Sequence, residues 1–165
     1  MRATRGDSLV SSNTVLKLRS TDAESTKKIG YRLGRLLKKG DVVGLYGELG
    51  TGKTTMAKGI ARAVGLESRD IISASFTIIA EYDTEPPFIH VDLYRIERID
   101  DLDEIGLWEY FKKNRGIMVI EWAERADGEL PDSVIKVNLL SVDETTRDII
   151  IEGIDEKDRD YLQIG

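Results

Sequence analysis

The chain of 165 residues contains no cysteine, a single histidine and no apolar run that approaches membrane-spanning length. Without cysteine there is no disulfide and no thiolate nucleophile, which fits a reducing compartment. The opening residues Met1-Arg2-Ala3-Thr4-Arg5-Gly6-Asp7 lack the apolar core of a signal peptide, so a cytoplasmic protein without a membrane anchor is expected. Basic residues are outnumbered, with 24 Lys and Arg against 30 Asp and Glu. Such a surface repels a polyanion, so nucleic acid is expected to be reached through a partner rather than gripped directly. No repeat and no low-complexity tract interrupts the chain. Its 41% apolar and 33% charged residues describe one domain with a real core and a heavily charged surface.

Against these absences stands one stretch, Gly47-Glu48-Leu49-Gly50-Thr51-Gly52-Lys53-Thr54, directly after the apolar run Val42-Val43-Gly44-Leu45-Tyr46. This is G-x-x-x-x-G-K-[ST] between an expected strand and an expected helix, the context that a phosphate loop requires. Its four fixed positions match by chance in about one chain in a hundred of this length. The glycines let the backbone turn its N–H groups toward phosphate oxygens, and the following helix adds the partial positive charge of its N-terminus. Lys53 reaches the β- and γ-phosphates, and the Thr54 hydroxyl takes a position on Mg²⁺. Nucleoside triphosphate binding is therefore the expectation, with Gly47 through Thr55 forming the loop.

The surrounding pattern is that of an α/β fold. Residues 1–12 read as a flexible tail, 13–154 as the phosphate-loop domain and 155–165 as a charged segment, loosely held or a short helix. Val15 to Ser20 predicts a strand. Thr21 and Glu24 predict a capping box for a helix that places Ile29, Leu33, Leu36 and Leu37 on one face and ends near Lys39-Gly40. Thr54 to Val64 predicts the helix after the loop, stopped by Gly65. A hairpin follows, in which Asp70 to Tyr82 is a hydroxyl-rich turn running into a strand and Phe88 to Arg95 is its partner, turning at Thr84-Glu85-Pro86-Pro87. Asp100 to Tyr110 reads as a solvated short helix. Ile117 to Ile120 predicts a buried strand, and Val134–Leu139 with Thr146–Glu152 predicts a second hairpin. The sum is a mixed central sheet with helices on both faces and antiparallel hairpins, binding nucleotide outside the carboxyl ends of its strands.

Hydrolysis needs a carboxylate near Mg²⁺ and a group to orient the attacking water. Glu121 and Asp92 each close an apolar strand, so one can help hold the metal while the other orients water. His90 shares a strand face with Asp92 and is a candidate partner for these acids or a structural residue. Ser73 and Ser75 stand in a hydroxyl-rich segment that could sense the γ-phosphate or cap a turn. Trp122 could pack on the nucleotide, on a partner or in the core.

With these residues in place the chain resembles the TsaE (YjeE) family of bacterial tRNA threonylcarbamoyladenosine biosynthesis ATPases, from about Val15 to Ile151. The resemblance rests on the phosphate loop, Ser73-Ala74-Ser75-Phe76-Thr77, His90-Val91-Asp92-Leu93-Tyr94-Arg95 and Ile120-Glu121-Trp122. It implies an ATPase using ATP and Mg²⁺, acting with the TsaB–TsaD pair on adenosine 37 of ANN-reading tRNAs, with tRNA reached through that complex. Carried over by motif, Lys53, Asp92 and Glu121 are catalytic, Thr54, Glu121 and Asp92 hold metal, and Arg147 lies near the nucleotide. Ser20 and Thr21 fall where the family's N-terminal segment approaches the base. The family's S-P-T-F reads Ser73-Ala74-Ser75-Phe76 here, without its stiffening proline. A small-molecule kinase could share the loop, but the arginine-rich lid that clamps a transferring phosphoryl group is missing. A non-hydrolysing nucleotide sensor would not need both Asp92 and Glu121.

Overall fold

A computed structural model describes residues 15–71, 78–113 and 115–163. The expected tail at 1–12 and the Ser73–Thr77 segment lie outside the described residues. The elements run β1 (Leu16–Ser20), α1 (Ala23–Leu36), β2 (Val42–Tyr46), α2 (Lys53–Arg62), β3 (Ile79–Tyr82) and β4 (Phe88–Asp92). They continue with α3 (Asp100–Glu104), α4 (Leu107–Lys113), β5 (Ile117–Glu121), β6 (Ile135–Ser141), β7 (Arg147–Glu152) and α5 (Glu156–Gln163).

All seven strands form one sheet in the order β1-β7-β6-β2-β5-β4-β3. The central four, β6, β2, β5 and β4, are parallel, while β3 and the β7–β1 pair close the two sides antiparallel. Parallel strands buried on both faces need apolar side chains in both directions, which is why Ile117 to Ile120 is unbroken. Alternate residues then divide between two cores. Val43, Leu45, Val119, Val137 and Leu139 face α1, α2 and α5 through Leu33, Met56, Ile60 and Leu162. Val42, Val91, Met118 and Ile120 face Leu102 of α3, Leu107 of α4 and the 3-10 turn Ala123–Ala126. Helices thus cover both faces, as the pattern predicts.

Several boundaries differ from the sequence reading, each for a local reason. The capping box of α1 is Asp22 with Ser25, one residue later than expected: Ser25 N–H donates to Asp22 Oδ1 at 2.7 Å and Asp22 N–H to Ser25 Oγ at 3.1 Å. A carboxylate at the N-cap accepts more strongly than the Thr21 hydroxyl and also complements the helix dipole. α1 stops at Leu36 because Leu37 is extended and Lys38 N–H donates to Asp41 Oδ2. Asp100–Tyr110 is two short helices, split at Gly106 with φ +75°, and it buries Leu102 and Leu107 completely rather than lying solvated. The charged C-terminal segment forms α5, anchored by the buried Leu162.

α1 and α2 pack unusually close. A methyl group on Gly30 would meet the Met56 carbonyl oxygen at 2.6 Å, and one on Gly34 the Ile60 carbonyl oxygen at 2.7 Å. Replacing Gly30 by alanine gains roughly 1 kcal/mol of helix propensity but forces two backbones apart at a cost of about 1–3 kcal/mol. Gly30→Ala is therefore expected to lower stability by about 1 kcal/mol net, read by urea unfolding; a more stable variant would contradict the close approach.

Candidate functional site

The loop after β2 is shaped by glycines in the left-handed region, Gly47 at φ +146°, Gly50 at +80° and Gly52 at +99°. At Gly47 the need is also spatial, since a Cβ would meet the Leu139 carbonyl oxygen and Thr51 Oγ1 at 2.6 Å each. Thr51 Oγ1–H donates to the Glu48 carbonyl at 2.9 Å and closes the turn. Gly52 is the N-cap of α2 and no side chain caps it, so the helix presents its first N–H groups and its positive end to the cleft. Lys53 is 4% exposed, and its ammonium donates to the Gly47 and Glu48 carbonyls at 2.6 and 2.7 Å. Burial holds its pKa below the ordinary lysine value, opposed by Glu124, Glu121 and Asp92.

Strand register delivers the acids. Glu121 lies opposite Leu45 of β2 on one side and Asp92 of β4 on the other, so both carboxylates emerge next to the loop on the α2 face. Both Glu121 oxygens are used: Thr54 Oγ1–H donates to Oε1 at 2.6 Å and His90 Nε2–H to Oε2 at 2.5 Å. His90, two residues before Asp92, therefore bonds an acid, but that acid is Glu121. Asp92 Oδ1 accepts from the Tyr94 N–H at 3.0 Å. Burial raises the Asp92 pKa above the ordinary carboxylate value and the Glu121 charge adds to it, while the Tyr94 N–H, His90 and Lys53 pull the other way.

The cleft over these groups has a volume of about 450 Å³ and is lined by Leu49, Gly50, Gly52, Lys53, Thr54, Thr55, Asp92 and Glu121 together with Tyr94, Arg95 and Trp122. Trp122 lines this cleft and also packs against the edge of the core beneath α3 and α4. Its backbone sits at φ +58°, rare for a tryptophan, and its ring lies 3.9 Å from the Lys53 ammonium and 5.2 Å from the Tyr94 ring. Its position directly after a strand-end acid is the signal that marks it in the sequence; Tyr94 and Arg95 have none apart from the motif. Arg147 braces the loop from outside: Nε donates to the Thr51 carbonyl and Nη2 to the Gly50 carbonyl, both at 3.1 Å. Its remaining donors hold the Asp143, Glu144 and Thr146 carbonyls of the β6–β7 turn. Ser20 is fully buried with its hydroxyl taken by Thr26 at 2.7 Å, so of the two residues expected near a base only Thr21 is exposed.

A family model described as "Threonylcarbamoyl adenosine biosynthesis protein TsaE" matches residues 20–149. The chain belongs to the TsaE family. It is 37% identical over 140 residues to the Bacillus subtilis tRNA threonylcarbamoyladenosine biosynthesis protein TsaE, covering 84% of this chain and 86% of that one. The Treponema pallidum TsaE is 36% identical, with 80% and 96% covered. The crystal structure of Bacillus subtilis YdiB superposes with a TM-score of 0.69 at 33% identity, covering 90% of this chain and 92% of that one.

The TsaE-family resemblance implies ATP and Mg²⁺, and the donors fit both. An uncapped helix N-terminus beside a buried lysine suits a polyphosphate. Among the described residues no three His, Cys, Asp or Glu side chains converge as a metal cage. One hydroxyl and two carboxylates are instead the sparse, hard-oxygen set with which Mg²⁺ binds when phosphates and waters complete its shell.

The raised Asp92 pKa carries a stability cost of defined sign. The folded state holds the Asp92 proton to higher pH than the unfolded chain, so this cost is absent below the ordinary carboxylate pKa of 3.8 and fully present once pH passes the raised folded value. Asp92→Asn keeps the oxygen that accepts from Tyr94 and removes the charge. The variant is expected to be more stable than the parent at pH 7, with the gap closing as pH falls through that window, measured by thermal unfolding across pH without nucleotide.

Proposed function

We propose that this chain is the ATPase of tRNA threonylcarbamoyladenosine formation in the cytoplasm. It binds ATP with Mg²⁺ and hydrolyses it slowly. That hydrolysis is coupled to the TsaB–TsaD complex, which acts on adenosine 37 of tRNAs reading ANN codons. The pathway is the one named for its relatives. The observation that carries the ATPase reading is the convergence of Lys53, Thr54, Glu121 and Asp92 at the carboxyl ends of three neighbouring parallel strands.

Each residue has a role that follows from its surroundings. The loop N–H groups and Lys53 hold the phosphates. Thr54, Glu121 and Asp92 are the residues for Mg²⁺, which when bound neutralises charge on the phosphate oxygens. Glu121, bonded through both oxygens, is a fixed acceptor. Asp92, with one oxygen taken by Tyr94, is the acid suited to orient the water whose attack yields ADP and phosphate. With no arginine-rich lid among the described residues and two strand-end acids, the cleft favours water over a second substrate as acceptor.

The test is ATP hydrolysis by the purified chain with and without the TsaB–TsaD pair, with Lys53→Ala as background. Turnover that depends on the pair is expected, and Glu121→Gln is expected to lower it by about 10²-fold, the size of effect seen when one preorganised electrostatic group is lost. Fast turnover indifferent to the pair would contradict the coupling, and turnover intact in Glu121→Gln would contradict the site.

A further inference from the structure

The chain's charge is unevenly placed. From Ala23 to Arg62 there are nine lysines and arginines against three acids, although over the whole sequence acids outnumber bases. α2 contains no acid, and the only one within α1 is Glu24. The glycine contacts described above draw these two helices together, and so draw their cations together. Lys27, Lys28, Tyr31 and Arg32 of α1, Arg62 of α2 and Tyr161 of α5 line a cleft of about 430 Å³ that shares no residue with the nucleotide cleft.

Glu24 also lines it and pairs with Lys27 at 3.4 Å. Lys28, Arg32 and Arg62 form no ion pair within 4 Å of a carboxylate among the described residues. The Arg62 guanidinium stands 6.0 Å over the Tyr31 ring, and Tyr31 and Tyr161 are each 38% exposed. Three cations without an ion pair around a concavity focus positive potential, opposed locally by Glu24, by Asp22, whose pKa is lowered by its Ser25 hydrogen bonds and by Lys28, and by Asp160 beside Tyr161; acids beyond a Debye length of about 8 Å are screened. The chemistry that uses both the cations and the rings is a phosphate chain carrying flat bases. A membrane would need apolar side chains to insert, and the cleft offers none. An acidic protein would engage the cations and leave the two rings idle.

We propose that the α1–α2–α5 cleft binds a single-stranded segment of RNA, with Lys28, Arg32 and Arg62 on phosphates and Tyr31 and Tyr161 stacking on bases. The choice of RNA among single-stranded nucleic acids rests on the reading of this chain as a component of tRNA modification. It adds a direct contact to the expectation from net charge that nucleic acid is reached through a partner.

The experiment is fluorescence anisotropy of a labelled tRNA and a labelled single-stranded RNA with the full chain, without ATP, over a salt series. The parent protein is expected to bind both. Lys28→Ala combined with Arg62→Ala is expected to weaken binding at least 10-fold and to lower the slope of log affinity against log salt by roughly 1.4, two phosphate contacts on a single strand. Tyr31→Ala should weaken it about 5-fold or more, while Tyr31→Phe, which keeps the stacking ring, should bind like the parent. Lys112→Ala with Lys113→Ala on the opposite face should also bind like the parent. No binding by the parent, equal losses in the α4 pair, or displacement of RNA by ATP with Mg²⁺ would overturn the proposal. Because no nucleotide is present in the main assay, this result stands or falls apart from the hydrolysis test.

Discussion

Glu121 is 2% exposed, and so deep a burial of a polar side chain is tolerated because both its oxygens are hydrogen-bonded, one by Thr54 and the other by His90. The two bonds tie three elements together at one point: the first turn of α2, the end of β5 and the middle of β4. Losing either partner leaves a buried carboxyl oxygen without its hydrogen bond, a larger penalty than the loss of an exposed ion pair. The same carboxylate therefore fixes the position of the phosphate loop relative to the sheet and supplies one wall of the cleft.

Around this tie the charges are arranged in opposition. Desolvation lowers the Lys53 pKa and raises that of Asp92, and each group's charge opposes the other's shift. Trp122, held in the left-handed region, lies over the ammonium, while Arg147 fixes the far side of the loop through two of its carbonyls. Left-handed backbone at a non-glycine residue costs of order 1–3 kcal/mol and persists where its surroundings demand it. Lys53, Tyr94 and Arg125 all lie within reach of the ring.

Much of this arrangement is legible from sequence because it depends on periodicity and spacing. The parity of β4 places His90 and Asp92 on one face, and the glycine spacing of the loop marks the turn before α2. What is not legible is long-range register: that Glu121 stands opposite both Leu45 and Asp92, that His90 serves Glu121, or that Arg147 reaches Thr51 across 96 positions. Local competition also escapes pattern reading. Asp22 takes the cap from Thr21, and Gly106 splits a helical stretch whose Leu102 and Leu107 then both turn inward. The basic cleft is invisible in the net charge because it arises from two helices packed through glycines.

We propose that Thr54, Glu121 and Asp92 form a Mg²⁺-dependent nucleotide site around Lys53. Calorimetric titration of ATP into the apo chain, with Mg²⁺ and then with EDTA, tests it most directly. The account predicts binding at least about 10-fold tighter with Mg²⁺, a difference of roughly 1.4 kcal/mol, and loss of that difference in Thr54→Ala. Equal affinity with and without the ion, or a Mg²⁺ effect that survives Thr54→Ala, would contradict it.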